Sequence, residues 1–523
     1  MSKDKNTAFL KGTLSLSISV IITKILGVAF KVPLSYVLGD EGMGYFNTAY
    51  AIYGFFYILC TAGVPKSITL VLSKNKSEQE DNIRILRSAL ILFAKIGLIV
   101  TFINIICAPA LADFIGNKNA FFSILAIAPS ILFVSLSGVL RGYLNTYEKL
   151  IPIAISQLIE GCVKLALGLV FAYAGVRLSA SLCVISALAI SGITVGSAAS
   201  FLYLMFKAYI GNSGFKTKQS IDFEIKRINK QIIKNALPIA LCSSLLNLSA
   251  TIDLTIIIKR LVLNGASEIY ANSIYGNYTT LAVPMFTLVI SVLTPIATSY
   301  MPRLSCFSAK IDRTKFQSEL NKLLCITLIL SVPASLAFYF YSFDLLDVLF
   351  SVQSSAIGAD MLICLSLGLS VLASLTVINT ALESQGRIVI TVISLLAGAI
   401  TKFAATYALV GKGEIGILGA PIGTVISYLV SLCISLFALE MNGIKTHAVI
   451  KILCLYLIGT TVFYLPYKLI YSTGISGVSF VSMGISLLIS CVLYLLSVGG
   501  AYIIYSKVCV SKMHKNKHKS LYE

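Results

Sequence analysis

The chain has no tryptophan, three histidines and few charges, with only 12% of its 523 residues being Asp, Glu, Lys or Arg. Each shortage excludes something. His447, His514 and His518 lie in a loop and the carboxy-terminal tail, so they cannot be assembled into a metal cluster, and no metal site is expected. Without tryptophan, an interfacial aromatic belt must be built from the 26 tyrosines and 27 phenylalanines. The twelve cysteines are scattered, mostly within apolar stretches, and none forms a CxxC pair. They read as small buried hydrophobes, not as disulfide partners or metal ligands. A P-loop, a GxSxG elbow and an HExxH motif are all missing, and the glycines of Gly413–Gly423 read as close helix packing. This argues against an enzyme and against an ATP-driven pump in one chain. No cofactor is expected; work must be drawn from the membrane potential, an ion gradient or the substrate's own gradient.

What the chain has instead is apolar length. It is 57% hydrophobic, with a mean hydropathy of +0.89, which defines an all-α polytopic membrane protein. At ~20 residues per spanning helix there are about fourteen apolar segments. They centre near Ile22, Phe56, Ile99, Leu132, Leu165, Ala189, Leu246, Leu288, Leu330, Leu369, Ala399, Ser427, Leu457 and Ser490. The short alternating strands of an outer-membrane barrel are absent. Basic residues exceed acidic ones, 41 to 22, and their placement decides what the excess means. With a cytoplasmic amino terminus the inner side receives Lys3, Lys5, Lys11, Lys74, Lys76, Arg84, Arg87, Arg141, Lys149, the segments Lys207–Lys234 and Arg303–Lys322, Arg387, Lys445, Lys451 and the tail Lys507–Lys519. The outer side receives only Lys118, Arg177, Lys259, Arg260, Lys412 and Lys468. That is an orientation signal with both termini inside, not a nucleic-acid footprint. The first apolar run is too long for a signal-peptide core and is expected to stay as an uncleaved helix.

The longest polar break divides the chain. Residues 1–210 form an amino-terminal lobe of six helices, 211–234 a cytoplasmic linker, 235–440 a carboxy-terminal lobe of helices seven to twelve, 441–508 two extra helices, and 509–523 a basic tail suited to anionic headgroups. An internal repeat supports two pseudo-symmetric lobes. A shift of 223 positions lays Lys11-Gly12-Thr13-Leu14 over Lys234-Asn235-Ala236-Leu237 and Asp40-Glu41-Gly42 over Leu263-Asn264-Gly265. A shift of 238 lays Lys149, Ser156 and Lys164 over Arg387, Ser394 and Lys402. Parallel repeats of this kind put a substrate site between halves near the midplane. Gly39, Gly42 and Gly44 are expected to supply the turn between the first two segments, and Gly63-Val-Pro65-Lys66 a kink. Pro284 and Pro295 in the eighth segment leave backbone groups for nearby Thr and Ser side chains to satisfy.

Charges inside apolar segments mark candidate function. Lys24 sits near the middle of the first segment and Lys31 seven residues later, on the same helix side. A lysine at that depth costs roughly 2.5–3.5 kcal/mol on insertion scales, so the two must face water or an anion. In the 223 register Lys24 falls over Asn247 and Phe30 over Asp253, which gives the cavity an amide and a carboxylate at matching depth. Asp253 can equally pair with Lys259 or Arg260. Glu160 and Lys164, spaced i,i+4, read either as a neutral structural pair or as an ion- or proton-coupling site; with Lys402 they are candidates for charge balance. The residues alone thus describe a secondary transporter with a basic cavity and an anionic substrate.

The segments FLKGTL (Phe9–Leu14), TKILG (Thr23–Gly27), LGDEGMGYFNTAY (Leu38–Tyr50), TAGVPKSI (Thr61–Ile68), SGVLRGYLNTYEKLIPIAISQLIE (Ser137–Glu160) and NALPIAL (Asn235–Leu241) carry a resemblance. The chain resembles the stage V sporulation protein B type, polysaccharide and lipid II flippases of the multidrug/oligosaccharidyl-lipid/polysaccharide exporter superfamily. The resemblance implies a V-shaped, two-lobed bundle in the bacterial cytoplasmic membrane, with helices one, two, seven and eight lining the cavity. It implies alternating access that moves a lipid-linked, pyrophosphate-bearing cell-wall precursor, with cell-wall synthesis proteins as further partners. Lys24 and Lys31 match basic positions of sporulation-type relatives. Against Gram-negative lipid II flippases, Lys24 matches a cavity arginine, the second basic residue falls one place later without the following aspartate, and the region of Ile58 is apolar where they carry an arginine. A cation-coupled drug extruder of the same fold and a non-transporting scaffold for cell-wall enzymes are the alternatives.

Overall fold

Every described element is helical, as a chain that must satisfy its own backbone hydrogen bonds in hydrocarbon requires. A computed structural model of the protein describes residues 3–74, 79–210 except 148, 228–236 except 235, 248–306, 313–444 except 351, 411, 413 and 414, 448–472 and 484–497. Ten helices among these residues are long and apolar enough to cross a bilayer. The segment expected near Leu246 begins outside the described residues and continues as a helix from Leu248. Those near Leu457 and Ser490 are the helices Ala448–Ser472 and Gly484–Ser497.

The first helical run, α1 (Lys3–Ile58), holds two of the expected segments, separated at Gly39, whose φ of 61° and ψ of −177° are open only to glycine. The turn was expected to use Gly42 and Gly44 as well. Both are instead helical, and what they supply is close approach. A Cβ on Gly44 would collide with the backbone of Asn272, and one on Gly276 with the carbonyl of Asp40. A π-turn, Leu59–Gly63, then leads into α2 (Val64–Lys74), with Pro65 as its second residue. A kink was expected at Gly63–Lys66, and what stands there is a change from a π-turn to an α-helix. It is followed by α3 (Gln79–Ile115), α4 (Phe121–Ile127), α5 (Ser130–Thr146), α6 (Leu150–Arg177) and α7 (Leu182–Ile210). After α8 (Leu248–Leu263) and α9 (Glu268–Asn277), a second π-turn, Tyr278–Ala282, leads into α10 (Val283–Ser299), again with proline second. A proline lacks the N–H that a carbonyl one turn back would accept, so each wide turn carries a carbonyl in need of another donor.

The remaining long helices are α11 (Arg313–Phe340), α12 (Val352–Ser384), α13 (Ile388–Val410), α14 (Gly419–Met441) and α15 (Ala448–Ser472). The 238 register is visible in them. Helices α6 and α13 begin at Leu150 and Ile388, and Ser156 and Ser394 each donate from Oγ to the carbonyl three residues back, at 2.7 and 2.9 Å.

The chain divides into two compact units, Met1–Ser291 with Phe350–Met361 and Leu395–Ser427, and Val292–Leu349 with Leu362–Ser394 and Tyr428–Glu523. The first has one core around Phe30, Leu34, Phe46 and Tyr53, and another around Ile68, Leu86, Leu140 and Leu204. Ile232, in the short helical stretch at the end of the polar break, joins that second core, and its carbonyl accepts from Ser67 Oγ at 2.7 Å. The second unit packs Leu328, Val332, Leu336 and Tyr341 with Phe463 and Tyr494. None of the nine cysteines whose exposure is described is fully buried, and Cys107, Cys162, Cys433 and Cys454 are exposed, contrary to their reading as buried residues. Helix faces turned to lipid are apolar surroundings too, and accept a thiol as readily as a core does.

Candidate functional site: a cationic, tyrosine-walled cavity

Within the first unit lies a cavity of about 580 Å³ lined by α1, α6, α7, α8, α9, α10 and the second π-turn. Lys24, Lys31, Lys164, Glu160 and Asp253 all line it, so the structure gathers five of the seven residues singled out from sequence. Asn247 lies outside the described residues. Lys402 stands behind the wall and reaches the cavity only through its partner.

The partners differ from those expected. Glu160 does not pair with Lys164; Arg141 of α5 donates from Nη2 to Glu160 Oε2 at 3.0 Å and to Ser200 Oγ at 3.2 Å. Arg141, expected at an inner-surface helix end, is 6% exposed. Its burial follows from two glycines: a Cβ on Gly138 or Gly142 would meet the Cys60 or Pro65 carbonyl at 2.7 Å, so α5 lies directly against the first π-turn and α2. Asp253 does not pair with Lys259 or Arg260 either. Their cationic groups sit 4.0 Å and 4.1 Å from the ring centroids of Phe114 and Tyr407. Lys402 takes Asp253, Nζ to Oδ2 at 2.8 Å, and Tyr278 Oη donates to the same oxygen at 3.4 Å. Both cavity carboxylates are thereby neutralised by cations from outside the lining.

The lysines are left with neutral partners. Lys31 Nζ donates to Asn47 Oδ1 at 3.0 Å and to the Thr279 carbonyl at 2.8 Å. Thr279 belongs to the π-turn ahead of Pro284, so a lysine, not the expected Thr or Ser, satisfies the carbonyl that the wide turn leaves over. Lys164 Nζ lies 5.3 Å from the Phe30 centroid and 4.8 Å from that of Tyr50, with Lys31 Nζ 5.8 Å from the latter ring. Lys24 makes no ion pair among the described residues and is exposed on the cavity wall. Tyrosines complete the lining: Tyr50, Tyr53 and Tyr57 form one ladder with ring centroids 6.0 and 5.5 Å apart, and Tyr275 and Tyr278 also line the cavity. The sequence reading missed Arg141, Asn47, Thr279 and this ladder. Only the ladder had a signal, three tyrosines at i, i+3 and i+7.

Such a site can hold a multivalent anion against fixed ammonium groups while presenting aromatic faces to a bulkier portion of the same molecule. A profile for polysaccharide biosynthesis protein matches residues 9–308. The chain belongs to that family. Stage V sporulation protein B of Bacillus subtilis (strain 168) is 25% identical over 430 residues, 80% of this chain and 80% of the relative. Lipid II flippase MurJ of the same organism is 22% identical over 473 residues, 85% of this chain and 84% of the relative. A solved structure of Lipid II flippase MurJ, in an inward closed conformation, matches with a TM-score of 0.72 at 19% identity, covering 94% of this chain and 99% of that one. An inward-facing multidrug resistance MATE family transporter of the MOP superfamily matches at a TM-score of 0.66 and 13% identity, covering 82% and 97%. This member of the polysaccharide biosynthesis protein family therefore has the all-α transporter fold that MurJ and MATE proteins share, and it is a multi-pass membrane protein whose relatives include flippases and transporters.

Proposed function

We propose that the protein is a flippase that carries a polyprenyl-pyrophosphate-linked cell-wall precursor, lipid II or a related lipid-linked glycan, across the bacterial cytoplasmic membrane by alternating access. The observation that carries this reading is the charge balance of the cavity. Lys24, Lys31 and Lys164 line it, whereas Glu160 and Asp253 are already paired with Arg141 and Lys402. The surplus is cationic, and in a partly dehydrated space it favours an anion such as a pyrophosphate. It equally disfavours the cationic cargo of a drug extruder. Lys24 and Lys31 meet the pyrophosphate, and the tyrosine ladder offers stacking faces to a sugar. Both termini are cytoplasmic, the membrane potential or an ion gradient supplies the work, and the likeness to a sporulation protein supports a role in spore peptidoglycan.

The test is translocation by purified protein in liposomes, with lipid II compared against other lipid-linked sugars. Lys24→Ala should abolish translocation while the protein remains folded and inserted. Undiminished activity in that variant would sink the assignment.

A further inference from the structure

The two repeat registers meet at one place. The 238 shift lays Lys164 over Lys402, and the 223 shift lays Phe30 over Asp253. In the second half, Lys402 Nζ bonds Asp253 Oδ2 at 2.8 Å; in the first, Lys164 Nζ lies 5.3 Å from the Phe30 ring. Both lysine-bearing helices are closely approached by a glycine of another helix, although Gly192 and Gly423 are not themselves aligned by the 238 shift. A Cβ on Gly192 would collide with Gly168, and one on Gly423 would meet Thr406 Oγ1 at 2.6 Å, with Thr406 the counterpart of Gly168 in the 238 register. A Cβ on Gly168 would in turn meet the Phe30 ring at 2.7 Å, so this glycine makes room for the phenyl group.

One slot of the fold therefore holds a carboxylate in one half and a phenyl ring in the other. The chemical consequence is asymmetric. A ring face attracts an ammonium group but cancels none of its charge. Lys402 is neutralised and sealed, at 1% exposure, whereas Lys164 is half-buried on the cavity wall with its charge uncancelled by any ion pair among the described residues.

We infer that Lys164 binds the anionic diphosphate portion of the transported molecule, and that Phe30 at the carboxylate's place is what leaves it available. Phe30 and Tyr50 hold the ammonium group in the empty cavity without competing for it as a carboxylate would. This rests on the reading of the cavity as a pyrophosphate site.

Calorimetric titration of the full-length protein in lipid nanodiscs with inorganic pyrophosphate tests it. Lys164→Gln should weaken binding about tenfold or more, as loss of a charge-assisted hydrogen bond does, and Lys164→Arg should largely restore it. Phe30→Asp, which installs the second-half pair in the first, should weaken binding as much as Lys164→Gln, and the double variant no further. Phe30→Leu keeps the slot apolar and should bind like wild type. Because Phe30→Asp places a carboxylate in a buried position, its unfolding temperature is measured alongside, and the Lys164 variants decide alone if it does not fold. Wild-type affinity in Lys164→Gln overturns the inference; if Lys24→Gln alone loses binding, the flippase reading stands without it. No pyrophosphate binding by the wild-type protein also overturns the role of Lys164, and absence of lipid translocation as well overturns the functional reading with it.

Discussion

Both units bury polar side chains, but of different kinds. In the first, Arg141, Asp253 and Lys402 are buried along with hydroxyls and amides; in the second, the described buried polar residues are serines, threonines and Asn379. The hydroxyls of the second unit mostly bond a carbonyl of their own helix or of a neighbour, as Ser335 Oγ does to Ser366 and Ser431 Oγ to Ser394. A buried hydroxyl with a carbonyl in reach costs little. A buried charge is expensive even when paired, and a pair is seldom retained for stability alone. The first unit keeps charges around a cavity, while the buried polar groups described in the second are hydroxyls and one amide.

That contrast can be broken at several points. The largest effect should come from removing one member of a buried pair. Lys402→Met, and to a lesser extent Arg141→Met, strands a carboxylate and should cost about 3–5 kcal/mol, whereas the paired replacements Asp253→Met/Lys402→Met and Glu160→Met/Arg141→Met should recover most of it. Thermal unfolding in detergent reads this, and equal loss in single and double variants would show that the pairs are not coupled. A smaller effect belongs to Lys31→Met, which takes a donor from the Thr279 carbonyl and from Asn47. The expected cost is about 1–3 kcal/mol. Faster amide exchange should be confined to the turn Tyr278–Ala282 and its flanks; protection there as in wild type would remove Lys31 from the account of that turn. The smallest effect, about 1 kcal/mol or less, is expected for Ser335→Ala in the second unit. A loss comparable to Lys402→Met would erase the distinction between the units.

Much of this was legible in the sequence because hydrocarbon imposes simple rules. Apolar length located the helices, and Pro65 and Pro284 marked places where the backbone ladder would be interrupted, each of which follows a π-turn. Charge inside an apolar run picked out Lys24, Lys31, Glu160, Lys164, Asp253 and Lys402 before any geometry was known. Pairing was not legible. Glu160 and Lys164 have ideal helical spacing, yet a third residue, Arg141 on α5, takes the carboxylate. Short-range spacing cannot register a competitor on another helix. The repeat carried more than it declared: the lysines it aligned and the unlike residues opposite them, Phe30 and Asp253, become meaningful only once the contacts are seen. The turn glycine was misassigned for a related reason. Three glycines lie close together, and sequence does not distinguish Gly39, which needs its dihedral angles, from Gly42 and Gly44, which need only their small size.

The crossing at Gly44 and Gly276 has a consequence in entropy. Each glycine faces the other helix's main chain and itself adds no side chain whose rotamers must be fixed when the helices meet. Ordering a long side chain costs up to about 2 kcal/mol, and a glycine costs nothing in this respect. Apart from the Asp40–Asn277 hydrogen bond beside it, this crossing therefore brings the two helices together while ordering little side-chain rotamer freedom.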